Sequence, residues 1–515
     1  MTDYNDVLYP NLCHYHTHPD RLAIPAILLG LNPPPTDYCR VLEIGCASGS
    51  NLIPMAYTLP NSTFVGIDYS SRQIEEAQAT ATALDLHNIT FRHLDIMEVD
   101  ETLGQFDYII AHGVYSWIPD PIKDALLATC KRHLARQGVA YISYDVYPGW
   151  HFFGVAREMM LYRIQDVDDP EECFTLAREL IHEWSVGLKA GENTAYTAFF
   201  DMYDTMLESM IEETQPRHVG ALLHGELADC HDAVYFHQFA HHAGQHGLQY
   251  LGEAEFSTMF PFNFPKSMVG YMNGVSKSMI DHEQYMDFAR NRTFRRTLLV
   301  HDDLTISRRL EPSILMRLAV ASTAQVSPPD PEHPDAHAYQ TAAGVRFVTN
   351  HPLTCSVMDY LMQVSPLPIP FMAFLEDIGE EDGVVLAHNL MQAFCYSERL
   401  VSLYSASLPF TLDVSDKPLA SRIARYQSES GSYVANLRHE RVKLDAFAHR
   451  LMQRLDGTHD QPALLASMQE LVAAGEFTFR KQGQPIEDPD QIQMIVQAEI
   501  SRSLKWLAQA ALLEA

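Results

Sequence analysis

Three carboxylates, Glu43, Asp68 and Asp95, stand at or beside the ends of three short apolar runs, and a glycine-framed turn, Gly45-Cys46-Ala47-Ser48-Gly49, separates the first two. Glycines at both ends of such a turn let the backbone approach a ligand with no Cβ in the way. The run before it, Arg40 to Ile44, reads as a buried strand, and an apolar periodic run from Leu52 reads as a helix. In an open parallel sheet, ligands sit outside the carboxyl ends of the strands, facing the N–H groups of such turns and the following helix N-terminus.

The turn is neither a dinucleotide loop nor a P-loop. G-x-G-x-x-G fails because Ala47 holds the third position and Ser50 the sixth, and no Gly-Lys-Ser/Thr follows. Asp68 ends the next run, Thr63 to Ile67, where a carboxylate accepts ribose hydroxyls. Asp95 ends the third, Ile89 to Leu94, within reach of an adenine. Glu43 suits a ligand that carries an ammonium and a sulfonium. Together these features point to S-adenosylmethionine, with Glu43, Gly45, Ala47, Gly49, Asn51, Asp68, Tyr69, Asp95, Ile96 and His112 as candidate contacts. Tyr9 joins them from a polar, aromatic leader that reads either as a lid across the cofactor, with Tyr4, Tyr9 and Tyr15 as its candidate contacts, or as a packed N-terminal arm.

Methyl transfer from a sulfonium is an in-line displacement, so the protein mainly positions a nucleophile and excludes water. After the fourth strand, Phe106 to Ala111, the stretch His112-Gly113-Val114-Tyr115-Ser116-Trp117 falls where methyl and acceptor meet. Tyr115 and Trp117 are candidate walls of an acceptor channel, because aromatic faces attract ammonium groups, and His112 is a candidate hydrogen-bond partner or proton acceptor. The run Tyr144 to Trp150 follows the fifth strand on the same edge and is a candidate opposite wall. An amine acceptor must be neutral to attack, and desolvation in an aromatic channel lowers its pKa. No residue stands out as a general base.

Positioning these groups requires alternating strands and helices. Ser70 and Gln73 form a capping box for a helix through about Leu86, and a helix from Pro121 to Ala135 stops near Gly138 before a fifth strand, Val139 to Tyr144. Strands from Leu248 to Glu253 and from Thr293 to Val300 complete seven. The expected fold is α/β: a doubly wound, seven-stranded Rossmann-like methyltransferase sheet with a helical insertion and α-rich, winged-helix-like C-terminal modules. The expected organisation is an arm at 1–38, the cofactor domain at 39–155 and 230–303, an inserted helical region at 156–229, a middle domain at 304–415 and a helical domain at 416–515. The proline-rich segment from Gln325 to Ala338 reads as a linker.

Composition narrows the function. The 515 residues carry 36 basic against 66 acidic side chains, a net charge of −30, which argues against a nucleic-acid partner. Eight scattered cysteines form no C-x-x-C pair, which fits a reducing, cytoplasmic setting rather than a disulfide scaffold. No apolar run reaches the length of a membrane span, and the N-terminus lacks the pattern of a signal peptide. Histidines crowd HYHTH (His14 to His18) and HQFAHH (His237 to His242), but no H-E-x-x-H or comparable carboxylate spacing accompanies them, so no metal is assigned.

THPDRLA, RVLEIGCASGSNLIPMA, FVGIDYS, AHGVYSW and SYDVYPGW, with YFHQFAHHAGQHGLQYLGEAEF and NRTFRRTLLVH further on, resemble the bacterial class I methyltransferases with a methyltransferase regulatory domain. That family includes rickettsial protein-lysine methyltransferases acting on an outer-membrane protein. The resemblance covers roughly residues 5–305 and implies cofactor contacts at Glu43, Gly45, Asp68 and Asp95. It also implies an inserted dimerisation region, hence a homodimer, and a C-terminal part that helps hold a protein substrate. Ala47 departs from the commoner G-x-G-x-G. The first reading is a protein or peptide N-methyltransferase acting on lysine. A methyltransferase for a small molecule or natural-product peptide, and a non-catalytic scaffold that keeps the cofactor fold, are the alternatives.

Overall fold

The computed structural model describes residues 4–10, 12–191, 194–329, 333–375, 380–481, 484–486 and 488–514. The chain forms two compact units, Met1–Leu12 with Arg21–Leu310, and Cys13–Asp20 with Glu311–Ala515.

The first unit is built on one seven-stranded sheet: β1 (Arg40–Ile44), β2 (Thr63–Asp68), β3 (Ile89–His93), β4 (Phe106–Ala111), β5 (Leu134–Asp145), β6 (Leu248–Glu253) and β7 (Phe294–His301), in the order 3-2-1-4-5-7-6. β1 to β5 are parallel, and β7 runs antiparallel between β5 and β6. The inner strands are nearly unbroken apolar runs, as expected for a parallel sheet covered on both faces. Val41, Leu42, Ile109, Ile110, Ala140 and Ile142 are fully buried. Strand order reverses beside β1, which pairs with both β2 and β4, and the mouth of this switch point is where an open α/β sheet binds its ligand.

One boundary differs from the sequence expectation. The helix Asp120–His133 ends five residues before Gly138, and β5 begins at Leu134. Gly138 is a strand residue at a close backbone approach, since a Cβ there would lie 2.7 Å from the Asp107 carbonyl oxygen. Its role is passage against β4, not helix termination.

Among the described residues, five helices lie between β5 and β6; the first four, Trp150–Ile164, Pro170–Lys189, Ala195–Thr214 and His218–His224, span the stretch read as helical from about Ala156 to Asp229 and begin before it. These four have a core of their own, including Met160, Ile181, Phe200, Tyr203 and Leu222. The helix Phe236–Gln245 then returns to the sheet, where Phe239 packs against Tyr144 at 3.9 Å.

In the second unit, strands Gln325–Ser327, His337–Gln340 and Arg346–Thr349 make an antiparallel sheet. The segment expected to be a linker therefore connects two paired strands, because Ser327 and Ala338 are register partners; its Asp330, Pro331 and Glu332 lie outside the described residues. Toward the C-terminus, helices Ala446–Met452, Gln461–Ala473 and Pro489–Gln509 share a core with Leu451, Leu464, Met468 and Leu504. A short hairpin, Arg480–Lys481 with Gln484–Pro485, stands between the last two.

Candidate active site

The turn after β1 is held open by its own backbone. Gly45 and Cys46 donate N–H bonds to the Ile67 carbonyl at 2.9 and 3.1 Å, so turn and β2 move as one piece. Gly45, Ala47 and Gly49 all have positive φ (74°, 46° and 73°), and a Cβ at Gly49 would meet Phe91 at 2.5 Å. Ala47 is the departure from the commoner glycine pattern; it carries the left-handed conformation at a cost a glycine would avoid.

Asp68 turns back toward this loop. Its carboxylate accepts the N–H groups of Ala47 and Ser70, both at 2.8 Å, while burial raises its pKa against those bonds. A carboxylate has about four lone-pair sites, so room remains for ribose hydroxyls. Glu43 is buried deeper: one oxygen accepts from the Asn51 amide at 2.6 Å and the other, Oε2, has no hydrogen-bond partner. Burial pushes its pKa up to about 8. A buried acceptor without a donor beside a glycine cradle fits the ammonium end of S-adenosylmethionine. Asp95 caps the short turn Ile96–Glu98 through Met97 N–H at 2.9 Å, with Ile96 half-buried behind it. The exposed Tyr69 packs edge-on to His93, which bonds the Tyr69 carbonyl at 2.9 Å.

The leader crosses this region. Asn5 binds Ser70 and Arg72, the Tyr4 ring stacks on His224 at 3.9 Å, and His224 bonds the Val7 carbonyl at 2.6 Å. Arg217, from the helical insertion, joins three pieces: the Tyr9 carbonyl at 3.3 Å, Ser48 of the turn at 3.2 Å and Glu76 at 2.7 Å. Asn5 on Ser70 places the leader across the end of β2. Burial raises the pKa of the Tyr4 and Tyr9 phenols, that of Tyr4 to about 12. Tyr15, expected with them, belongs to the second unit, where the Arg399 guanidinium carbon lies 4.9 Å from its ring centroid.

At the end of β5, Asp145 is buried and bonded to His231 at 3.1 Å. Its pKa is raised by burial, opposed by His231 and by a hydrogen bond with the Trp150 side chain. Trp117 and Trp150 flank the His231 ring at 4.7 and 4.0 Å and meet each other at 6.4 Å. Trp117 and the run after β5 are thus brought together as expected, but Tyr115 is drawn away from them. It is buried against Tyr144 and Phe239, and its hydroxyl bonds His242 at 2.8 Å. His112 is likewise held within the sheet by the Tyr141 hydroxyl at 2.8 Å and Ser143 at 3.3 Å. The sequence reading named the Asp145 segment as a wall without giving Asp145 a role, and it missed His231. Eighty-six residues separate this pair, and no local spacing announces it.

An open α/β sheet with an acidic, glycine-cradled loop at its switch point defines a class I methyltransferase that uses S-adenosylmethionine. Residues 41–138 match the family described as "Methyltransferase domain", residues 219–301 match "Predicted methyltransferase regulatory domain", and residues 416–512 match "PKMT, C-terminal winged helix domain". Uncharacterized protein RP789 of Rickettsia prowazekii is 30% identical over 99% of this chain and 93% of its own length. Uncharacterized protein RP028 of the same organism is 33% identical over 46% of this chain and 91% of its own length. The structure of PKMT2 from Rickettsia typhi in complex with AdoHcy superposes with a TM-score of 0.84 at 25% identity, over 98% of this chain and 99% of that one. The chain belongs to the S-adenosylmethionine-dependent methyltransferases that carry a methyltransferase regulatory domain and a PKMT-type winged-helix domain.

Proposed function

We propose that the enzyme N-methylates lysine side chains of a protein substrate, with Asp145 receiving the acceptor amine. The observation that carries this reading is a buried carboxylate, paired with His231 and walled by Trp117 and Trp150, at the end of β5. The likeness to PKMT2 agrees with it.

S-adenosylmethionine supplies an electrophilic methyl on a sulfonium. Glu43 Oε2 would hold its ammonium, Asp68 its ribose, and Asp95 with Ile96 and Tyr69 the rim around its adenine. Gly45, Ala47 and Gly49 would cradle it, with Asn51 aiming Glu43, and Tyr9 would cover it. On the acceptor side, Asp145 attracts the lysine ammonium, and the indole faces stabilise that cation by ~0.5–2 kcal/mol. Burial that raises the Asp145 pKa also lowers that of an incoming lysine, which favours transfer of the ammonium proton to Asp145 Oδ. The amine lone pair is then free to form the N–C bond as the C–S bond breaks. Trp117 belongs to the acceptor wall, whereas Tyr115 and His112 act by positioning it.

The net charge of −30 favours a cationic protein partner over nucleic acid. All eight cysteines are free thiols, as suits the cytoplasm, and no helix among the described residues is long and apolar enough to cross a membrane. The helical insertion exposes Tyr162, Trp184, Tyr196 and Met202, and a homodimer that covers them is part of this reading. The test is incubation with methyl-labelled S-adenosylmethionine and lysate separated into protein and small-molecule fractions. Label on lysine by mass spectrometry, lost in Asp145→Asn, supports the proposal; label only in small molecules overturns it.

A further inference from the structure

Among the described residues, two groups of donor atoms lie close enough to hold a metal ion. In the first, His182, Asp204 and Glu208, a cation is already present: Arg178 pairs with both carboxylates. The second is Asp124, His242 and His246.

His242 lies in the last turn of Phe236–Gln245 and His246 caps its C-terminal end, the pole of a helix that favours positive charge. Residues four apart share a helix face, so both rings project to one side. Asp124 comes from a different helix, Asp120–His133, and places Oδ1 2.8 Å from His242 Nε2 and 3.1 Å from His246 Nε2. All three donor atoms lie within 4.8 Å of one another. Ligands on a tetrahedral zinc at ~2.0–2.1 Å stand roughly 3.3 Å apart, so the two carboxylate–imidazole distances need to open only by a few tenths of an ångström to admit the ion. The imidazoles are one-fifth exposed and Asp124 three-fifths, which leaves a side for water as the fourth ligand.

The second nitrogen of His242 adds a feature that chance proximity does not supply. Its Nδ1 lies 2.8 Å from the buried Tyr115 hydroxyl, the outer hydrogen bond that fixes the tautomer and ring orientation of a metal-bound imidazole. A second pair with the same spacing, His237 and His241, lies on the same helix, but its partners are amides, Gln284 and Gln245. Two imidazoles with one carboxylate are the donor set that zinc, nickel and copper prefer over calcium or magnesium.

We propose that Asp124, His242 and His246 form a zinc site with a structural role. Zinc would fasten Phe236–Gln245 to Asp120–His133. Through Tyr115 it would also steady the turn Tyr115–Trp117, whose Ser116 Oγ accepts the Asp145 N–H at 2.9 Å and whose carbonyl accepts the Asp232 N–H at 2.8 Å.

The test uses full-length, tag-free, chelator-stripped protein titrated with zinc by calorimetry and with cobalt by visible spectroscopy. The expected result is one equivalent per chain, ligand-field bands for cobalt, and a higher Tm on zinc addition. His246→Ala and Asp124→Asn should each abolish stoichiometric uptake, Tyr115→Phe should weaken it by about tenfold, and His241→Ala should leave it unchanged. Circular dichroism identifies any variant that fails to fold, and Asp124→Asn, at an exposed position, keeps the test open if a histidine variant does. No stoichiometric uptake by the wild type would overturn the proposal and leave a hydrogen-bonded clasp. So would uptake that survives both ligand substitutions, or uptake lost in His241→Ala.

Discussion

The two walls of the proposed site, one for the cofactor and one for the acceptor, are built in opposite ways. The cofactor wall comes from consecutive strand ends: Glu43, Asp68 and Asp95 follow β1, β2 and β3 in order, and their partners are mostly backbone N–H groups within a few residues of a carboxylate or just across a strand. The proposed acceptor wall is assembled from segments far apart in the chain, Trp117, Asp145, Trp150 and His231, joined by side chains. The cofactor wall repeats a local rule of the fold. The acceptor wall depends on the insertion and the segment before β6, and these can change without disturbing the sheet.

If the two walls are separate devices, substitutions should divide cleanly between them. The largest effect is expected for Asp145→Asn, which should lower kcat by about 10²–10⁴ and leave the cofactor Kd unchanged; a matching loss of cofactor binding would merge the two walls. Asp68→Ala removes the charged acceptor of two buried N–H groups, at ~1.5–3 kcal/mol each. It should weaken cofactor binding by about a hundredfold or more, read by titration calorimetry.

The leader meets the cofactor turn through Ser70 and Arg217, and Gly220 tests that link. A Cβ at Gly220 would lie 2.0 Å from the Leu8 carbonyl oxygen, so Gly220→Ala must lift the leader from the helix His218–His224. Overpacking of ~1–3 kcal/mol corresponds to about a tenfold weaker cofactor Kd, together with faster proteolysis within residues 4–10.

The smallest effect is a proton. Between the ordinary value of 4.5 and about 8, the folded protein keeps a proton on Glu43 that the unfolded chain has released. Stability without cofactor therefore falls as pH rises through that window, and below it the difference vanishes. The cofactor ammonium favours the ionised form, so binding near pH 7 should release on the order of one proton. The check is calorimetry in buffers of different ionisation enthalpy, and Glu43→Gln should eliminate the release.

The legibility of each part follows from the range of the interactions behind it. The strands before Asp68 and Asp95 are apolar runs with turns at fixed offsets, and the Ser70 cap is a bond to Gln73 N–H three residues on, so all of these were readable locally. Gly138 was misread because glycine after a helical pattern signals a helix stop as readily as a strand residue passing close to a neighbour. The proline-rich segment was misread because prolines mark any break in a ladder, including the connection between two paired strands.

From residue order alone follow the sheet, the glycine turn, the acidic strand ends and hence the methyl-donor class, because strand periodicity and turn chemistry act over a few residues. Folding in space decided the rest. It placed Tyr115 on His242, set His231 on Asp145, and brought Asp124 from another helix to the two histidines. Each of these pairs lies 86 or more residues apart, and at that range the packing of helices on the sheet, not spacing along the chain, chooses which side chains meet.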